Sequence, residues 1–94
     1  MTRISFTFEA DHPAFAGHFP GRPIVPGVQL LDRVEKIAEF ECGPCELKVA
    51  KFLSPAGPGE LLDLEYSVED GLLSFEIRCG DRRIATGRFS SRTS

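Results

Sequence analysis

The chain has no tryptophan, one tyrosine, one methionine, two histidines and three cysteines among its 94 residues. These scarcities narrow what it can be. The cysteines and histidines lack the paired-ligand spacing of a zinc site, so no metal is expected. The thiols read as the reduced thiols of a cytoplasmic protein. No apolar run approaches the ~18 residues of a membrane helix, and no basic-then-apolar leader opens the chain, so no membrane partner is expected. Basic residues number 11 against 14 acidic ones, and the net charge of −3 argues against a nucleic-acid surface. What is abundant is phenylalanine, with eight residues that give a core bulk without polar handles. The length fits a single domain, residues 1–94, whose modest core favours covering apolar surface by dimerisation.

Apolar Ile4, Phe6 and Phe8 alternate with polar neighbours across residues 3–9, which predicts a half-buried strand. Residues 28–41 contain neither Pro nor Gly. At 100° per residue Leu30, Leu31, Val34, Ile37 and Ala38 fall on one face, with Gln29, Arg33 and Lys36 opposite, which predicts the chain's one helix. Strands follow at 47–53, 60–69, 73–79 and 83–89, the last three joined by turns at Asp70-Gly71 and Gly80-Asp81. The polar tail at residues 90–94 is expected to fray. One helix and an antiparallel sheet, its last four strands in hairpin succession, make an α+β domain.

Between the first strand and the helix lies Asp11-His12-Pro13-Ala14-Phe15-Ala16-Gly17-His18-Phe19-Pro20-Gly21-Arg22-Pro23-Ile24-Val25-Pro26-Gly27. The prolines forbid a regular helix or central strand, and the glycines allow close backbone approach. A stiff irregular loop that carries both histidines reads as a site.

The stretch from Gly17 through His18, Phe19, Pro20 and Gly21 to Val28 resembles the signature of the 3-hydroxyacyl-acyl carrier protein dehydratases, hot-dog-fold enzymes of fatty acid synthesis and related pathways. Lys51-Phe52-Leu53-Ser54-Pro55-Ala56-Gly57-Pro58-Gly59-Glu60-Leu61 is similar to the second pattern of that family. The resemblance runs from about Phe6 to Phe89. It implies a hot-dog fold, one long central helix wrapped by a curved antiparallel sheet of about five strands, paired into a homodimer with two shared sites. Two departures stand out. Family members carry a longer N-terminal segment, and their central helix is more apolar around its acidic residue than Asp32-Arg33-Val34-Glu35-Lys36.

The implied reaction removes a proton from C2 of a 3-hydroxyacyl thioester and protonates the departing C3 hydroxyl. It calls for a base, an acid, and donors to the thioester oxygen. An imidazole titrating near ~6.5 suits the base. His18 takes that role by resemblance, although the residues alone suit equally a histidine that caps a loop. Asp32 matches the position of the family's acid, contributed by the partner subunit. Near a helix start the macrodipole favours an ionised carboxylate, so an acid there calls for an apolar tunnel. The bland alternative is a solvated stripe of Asp32, Glu35 and Glu39, with Glu35 as the acid if the register differs. Gly27 opens the helix with an orphan N–H suited to the oxyanion, and it is grouped with Val28, Phe15 and Phe19 as substrate-binding. His12 reads as structural. No cofactor is implied.

Cys42-Gly43-Pro44-Cys45 has the letters of a thioredoxin-type centre. It closes a helix instead of opening one, so the dipole has the wrong sign to stabilise a thiolate. The implied partner is an acyl carrier protein bearing a 3-hydroxyacyl chain. Such proteins are acidic, and Arg78, Arg82, Arg83 and Arg88, or Arg22 and Arg33, are candidates to receive one. Two other functions compete: a hot-dog acyl thioesterase, and a non-catalytic acyl-binding or dimerisation module.

Overall fold

Turn chemistry and side-chain period explain most of the architecture. The computed structural model describes residues 1–9 and 24–92. Its elements are β1 (Thr2–Phe6), α1 (Gly27–Cys42), β2 (Cys45–Phe52), β3 (Leu62–Glu69), β4 (Leu72–Cys79) and β5 (Arg82–Ser91). All strand pairs are antiparallel, in the spatial order β1-β3-β4-β5-β2, and α1 packs on β2, β4 and β5. This is the α+β hot-dog arrangement.

The helix exceeds its expected span by one residue at each end. Leu30, Val34 and Ala38 are buried, and Leu31 and Ile37 pack half-buried beside them. They meet a floor of Leu62, Leu64, Leu73, Ile77 and Ile84, each 0 % exposed. Burying each such side chain is worth about 1.5–3 kcal/mol, which is what holds a helix of this length in place. Arg33 is exposed as expected, and its guanidinium carbon lies 4.9 Å from the Phe6 ring centroid and 5.2 Å from that of Phe8. The charge is satisfied by aromatic faces while the stem covers apolar surface.

The β3–β4 hairpin forms as expected, with Asp70 at φ 52° and Gly71 at φ 75°, the conformation a two-residue turn between twisted strands requires. Two features differ from the sequence reading. The last four strands are not all in hairpin succession: β2 pairs with β5 at the far edge, so only β3, β4 and β5 are consecutive hairpins. The start of the polar tail is also ordered. Ser90 and Ser91 extend β5 opposite Glu46 and Cys45, and the Arg92 N–H donates to the Pro44 carbonyl at 2.8 Å. Backbone pairing along the whole of β2 overrides the polarity of those serines.

The β2–β5 register shifts between Leu47 and Val49. Gly87 permits this. A Cβ there would stand 2.4 Å from the Val49 carbonyl oxygen and 2.7 Å from the tip of Phe75.

Because β2 ends on the outer edge, residues 53–61 must cross back to β3. The connection is fastened along its length. The Leu53 and Ser54 N–H groups donate to the Ile84 carbonyl at 2.8 and 3.3 Å, and the Gly59 N–H donates to the Phe8 carbonyl at 2.9 Å. Glu60 closes it: Oε1 accepts from the Gly57 N–H at 2.6 Å, and Oε2 accepts from Arg82 at 2.6 Å and from the Cys79 thiol at 3.4 Å. The Gly57 N–H, ahead of Cys79 and Arg82, holds the Glu60 carboxyl below the usual carboxylate range.

Two outcomes follow. Gly87→Ala drives a methyl into backbone that cannot swing aside, and should cost about 1–3 kcal/mol in urea denaturation. For Glu60 the folded-state pKa is the lower one, so its contribution is complete above the unfolded value of ~4.3 and fades as pH falls through the folded value. The stability gap between wild type and Glu60→Gln, followed by urea midpoints from neutral to acid pH, should therefore be steady at neutrality and shrink in acid.

Candidate active site

The helix entrance is the centre of the site. Pro26 is the N-cap at φ −59° and ψ 141°, with no side-chain cap and no acidic residue in the first turn. Among the described residues the Gly27 and Val28 amides therefore meet no intrahelical carbonyl and no capping side chain, while the Gln29 N–H donates to the Pro26 carbonyl at 2.9 Å. The entrance is held from below: the Val25 N–H donates to the Ala56 carbonyl at 2.7 Å.

Gly27 and Val28 line an open cavity of about 570 Å³, walled by Ile24, Val25 and Leu30 on one side and by residues 52–56 on the other. The wall is largely apolar, with one hydroxyl from Ser54. The Phe52 ring lies directly against Gly27, where a Cβ would stand 2.7 Å from its Cζ. Glycine at this position lets the ring and the backbone approach. Phe52 is half exposed and lies at the end of β2, so its ring has room to move.

Asp32 occupies a different cleft. Together with Val28, Leu31, Glu35, Leu47 and Phe89 it lines a space of about 220 Å³ between α1 and the sheet edge. Its carboxylate lies 3.3 Å from Lys36 Nζ, an exposed pair one turn apart. Asp32 lies five positions after Gly27, which places the two residues about 140° apart around the helix. Within one chain the amide and the carboxylate thus address different spaces, and Val28, largely exposed, borders both. Glu35 shares the Asp32 cleft; Glu39 is exposed farther along α1. His12, Phe15, His18, Phe19 and Arg22 lie outside the described residues.

The arginines expected to receive a carrier protein are mostly engaged. Arg78 and Arg83 both pair with Glu76, Arg82 pairs with Glu60, and Arg33 covers Phe6 and Phe8. Arg88 shares an outward groove with Lys51. At the Cys-Gly-Pro-Cys stretch, α1 ends at Cys42 and β2 begins at Cys45, so the cysteines stand at the carbonyl end of a helix. Burial, then the charges of Glu35 and Glu39, push the Cys45 thiol up.

The sequence reading assigned no role to residues 52–56, which make up half of the cavity wall. Their signal was present: an apolar strand end running into a Pro-rich stretch too long for a hairpin turn.

Comparison with known proteins agrees with this geometry. The family model described as ApeI-like, ApeI dehydratase, matches residues 1–88. The 3-hydroxyacyl-acyl-carrier-protein dehydratase FabZ of Chlamydia trachomatis serovar L2 is 33% identical over 102 aligned positions, covering 85% of this chain. The chain spans 64% of that relative's length. The FabZ of Aliarcobacter butzleri is 36% identical over 73 residues, 61% of this chain and 50% of the relative. Among solved structures, the dehydratase heterocomplex ApeI:P from Xenorhabdus doucetiae superposes with a TM-score of 0.75 at 28% identity, covering 94% of this chain and 83% of that one. A fluoroacetyl-CoA-specific thioesterase shares the fold, with a TM-score of 0.68 at 11% identity over 95% of this chain and 84% of that one. With nearly its whole length matched, the chain belongs to the ApeI-like dehydratase family.

Proposed function

We propose that the protein dehydrates 3-hydroxyacyl thioesters, presented on an acyl carrier protein, to trans-2-enoyl thioesters. The observation that carries this reading is a helix-entry amide, Gly27, without a side-chain cap among the described residues, at the rim of an apolar cavity sized for a short acyl chain. A thioester oxygen beside Gly27 would accept its N–H and meet the favourable end of the helix dipole as charge develops. His18, nine residues upstream, takes the proton from C2. The electron pair moves into the C2–C3 bond, the C3–O bond breaks, and the oxygen leaves as water with a proton from Asp32.

The second half of each site comes from another subunit. Gly27 and Asp32 line different clefts of one chain, which supports a site shared between two subunits. β2 is an edge strand, and Val28, Leu47, Phe52 and Leu53 stand exposed on or beside it. A homodimer that pairs these edges would carry two shared sites. The ApeI:P relative is a dehydratase heterocomplex, and a related second chain is the other arrangement that completes the site.

The deciding experiment follows hydration of short, medium and aryl trans-2-enoyl thioesters by loss of enoyl absorbance, with free thiol measured in parallel. Wild type should hydrate without releasing thiol; thiol release alone would make the protein a thioesterase, and silence on every substrate would leave a binding module. His18→Ala and Asp32→Asn should each lower the rate by about 10²–10⁴. Refolding the two inactive variants together should restore about a quarter of wild-type activity, because half the dimers are mixed and each has one intact site. Gly27→Ala should fold normally, since the half-exposed Phe52 ring can yield, yet lose roughly tenfold or more in kcat through displaced geometry at the thioester.

A further inference from the structure

Glu60 lies outside both clefts and has no part in the reaction above, yet its carboxylate is the most heavily engaged acidic group among the described residues. The two oxygens are divided. Arg82 and the Cys79 thiol, from the β4–β5 hairpin, both address Oε2, which leaves Oε1 to the Gly57 N–H. An exposed ion pair with Arg82 contributes little by itself. A backbone N–H held by an ionised carboxylate belongs to the stronger class of hydrogen bond. Gly57 follows Ala56, whose carbonyl holds the Val25 N–H at 2.7 Å, and Val25 stands two residues before Gly27.

We propose that Glu60 is a positioning residue of the active site: by pinning Gly57 it fixes the Ala56 carbonyl, the Val25 amide and so the place of the Gly27 N–H. The inference rests on the reading of that N–H as the oxyanion donor. The path is short and made of named bonds: hairpin to carboxylate, carboxylate to loop, loop to helix entrance. The opposite end of the loop is fixed separately by Ile84 through Leu53 and Ser54. Loss of Glu60 therefore frees the middle of the loop without unfastening β2. The carboxylate also needs its full length: Glu60→Asp is one methylene short of bridging Gly57 and Arg82. Glu60→Gln keeps an oxygen for Gly57 and gives up the charge together with the acceptor for Arg82 and Cys79.

The test combines steady-state hydration kinetics of the full chain with hydrogen exchange of individual amides. Glu60→Ala should lower kcat by about tenfold or more while KM changes little, the pattern expected when a bond made in the transition state is misplaced. Glu60→Gln should stay within about threefold of wild type, because its side-chain oxygen still receives Gly57. In Glu60→Ala the Val25 amide, which touches no Glu60 atom, should exchange faster while those of Leu64 and Ile77 do not. A merely structural role predicts a lower Tm with faster exchange throughout and unaltered kcat per folded molecule. Unchanged Val25 exchange, or equal losses in the Ala and Gln variants, would overturn the proposal. If wild type turns over no enoyl thioester, the reading of the reaction falls, and Val25 exchange alone decides whether Glu60 holds the entrance.

Discussion

The hydrogen bond from the Val25 N–H to the Ala56 carbonyl is the constraint on which the site depends. It joins the entrance of α1 to the connection that follows β2, two segments that the sequence separates by a whole helix and a strand. Its origin is topological. β2 pairs with β5 at the far edge, so the chain must cross roughly three strand spacings of ~4.8 Å to begin β3. A chain making that crossing cannot form a tight turn. It has to pass the end of the helix, and there its carbonyls and apolar side chains become a wall. The cavity beside Gly27 is thus a consequence of strand order, shaped by which residues occupy the crossing.

The same strand order leaves β2 as an edge, and an edge strand with half-exposed apolar side chains invites pairing. Residues 28, 47, 52 and 53 all border the clefts beside α1. In the proposed dimer, covering this edge and completing the site are one event. A lone chain would have its amide in one cleft and its carboxylate in another, with water between them.

What could be read from the sequence was local. The helix was legible because Leu30, Val34 and Ala38 recur at helical spacing, and the β3–β4 hairpin because Asp70-Gly71 suits a turn with positive φ at both positions. The partner of β2 was not legible, because alternation states which face a strand buries and not which strand it joins. Ser90 and Ser91 looked like a frayed tail since their order comes from backbone pairing to Glu46 and Cys45, which side-chain polarity does not record. At the candidate site, motif and helix register single out Gly27 and Asp32 in the sequence but give no role to the wall at residues 52–56. A wall is a property of the crossing and becomes visible only with the strand order. Arg33 shows the same limit: its charge marks it for solvent, where it lies, but its contact with the Phe6 and Phe8 rings depends on where β1 packs.

Asp32 then connects assembly to chemistry. A carboxyl group that must deliver a proton to a leaving hydroxyl works best shielded from water. In the single chain the Asp32 side chain is 54% exposed, and Lys36 lies 3.3 Å away. The helix around it is charged, so the chain's own residues cannot dry the cleft. An apolar surface laid over Val28, Leu31 and Leu47 would exclude water and draw Lys36 outward, since a long side chain can follow its ammonium to the solvent while the shorter aspartate cannot. On this reasoning the polar character of α1 does not contradict a catalytic role for Asp32. In the proposed dimer it makes that role conditional on the neighbour, whose apolar surface would cover the cleft where its own cavity brings the substrate.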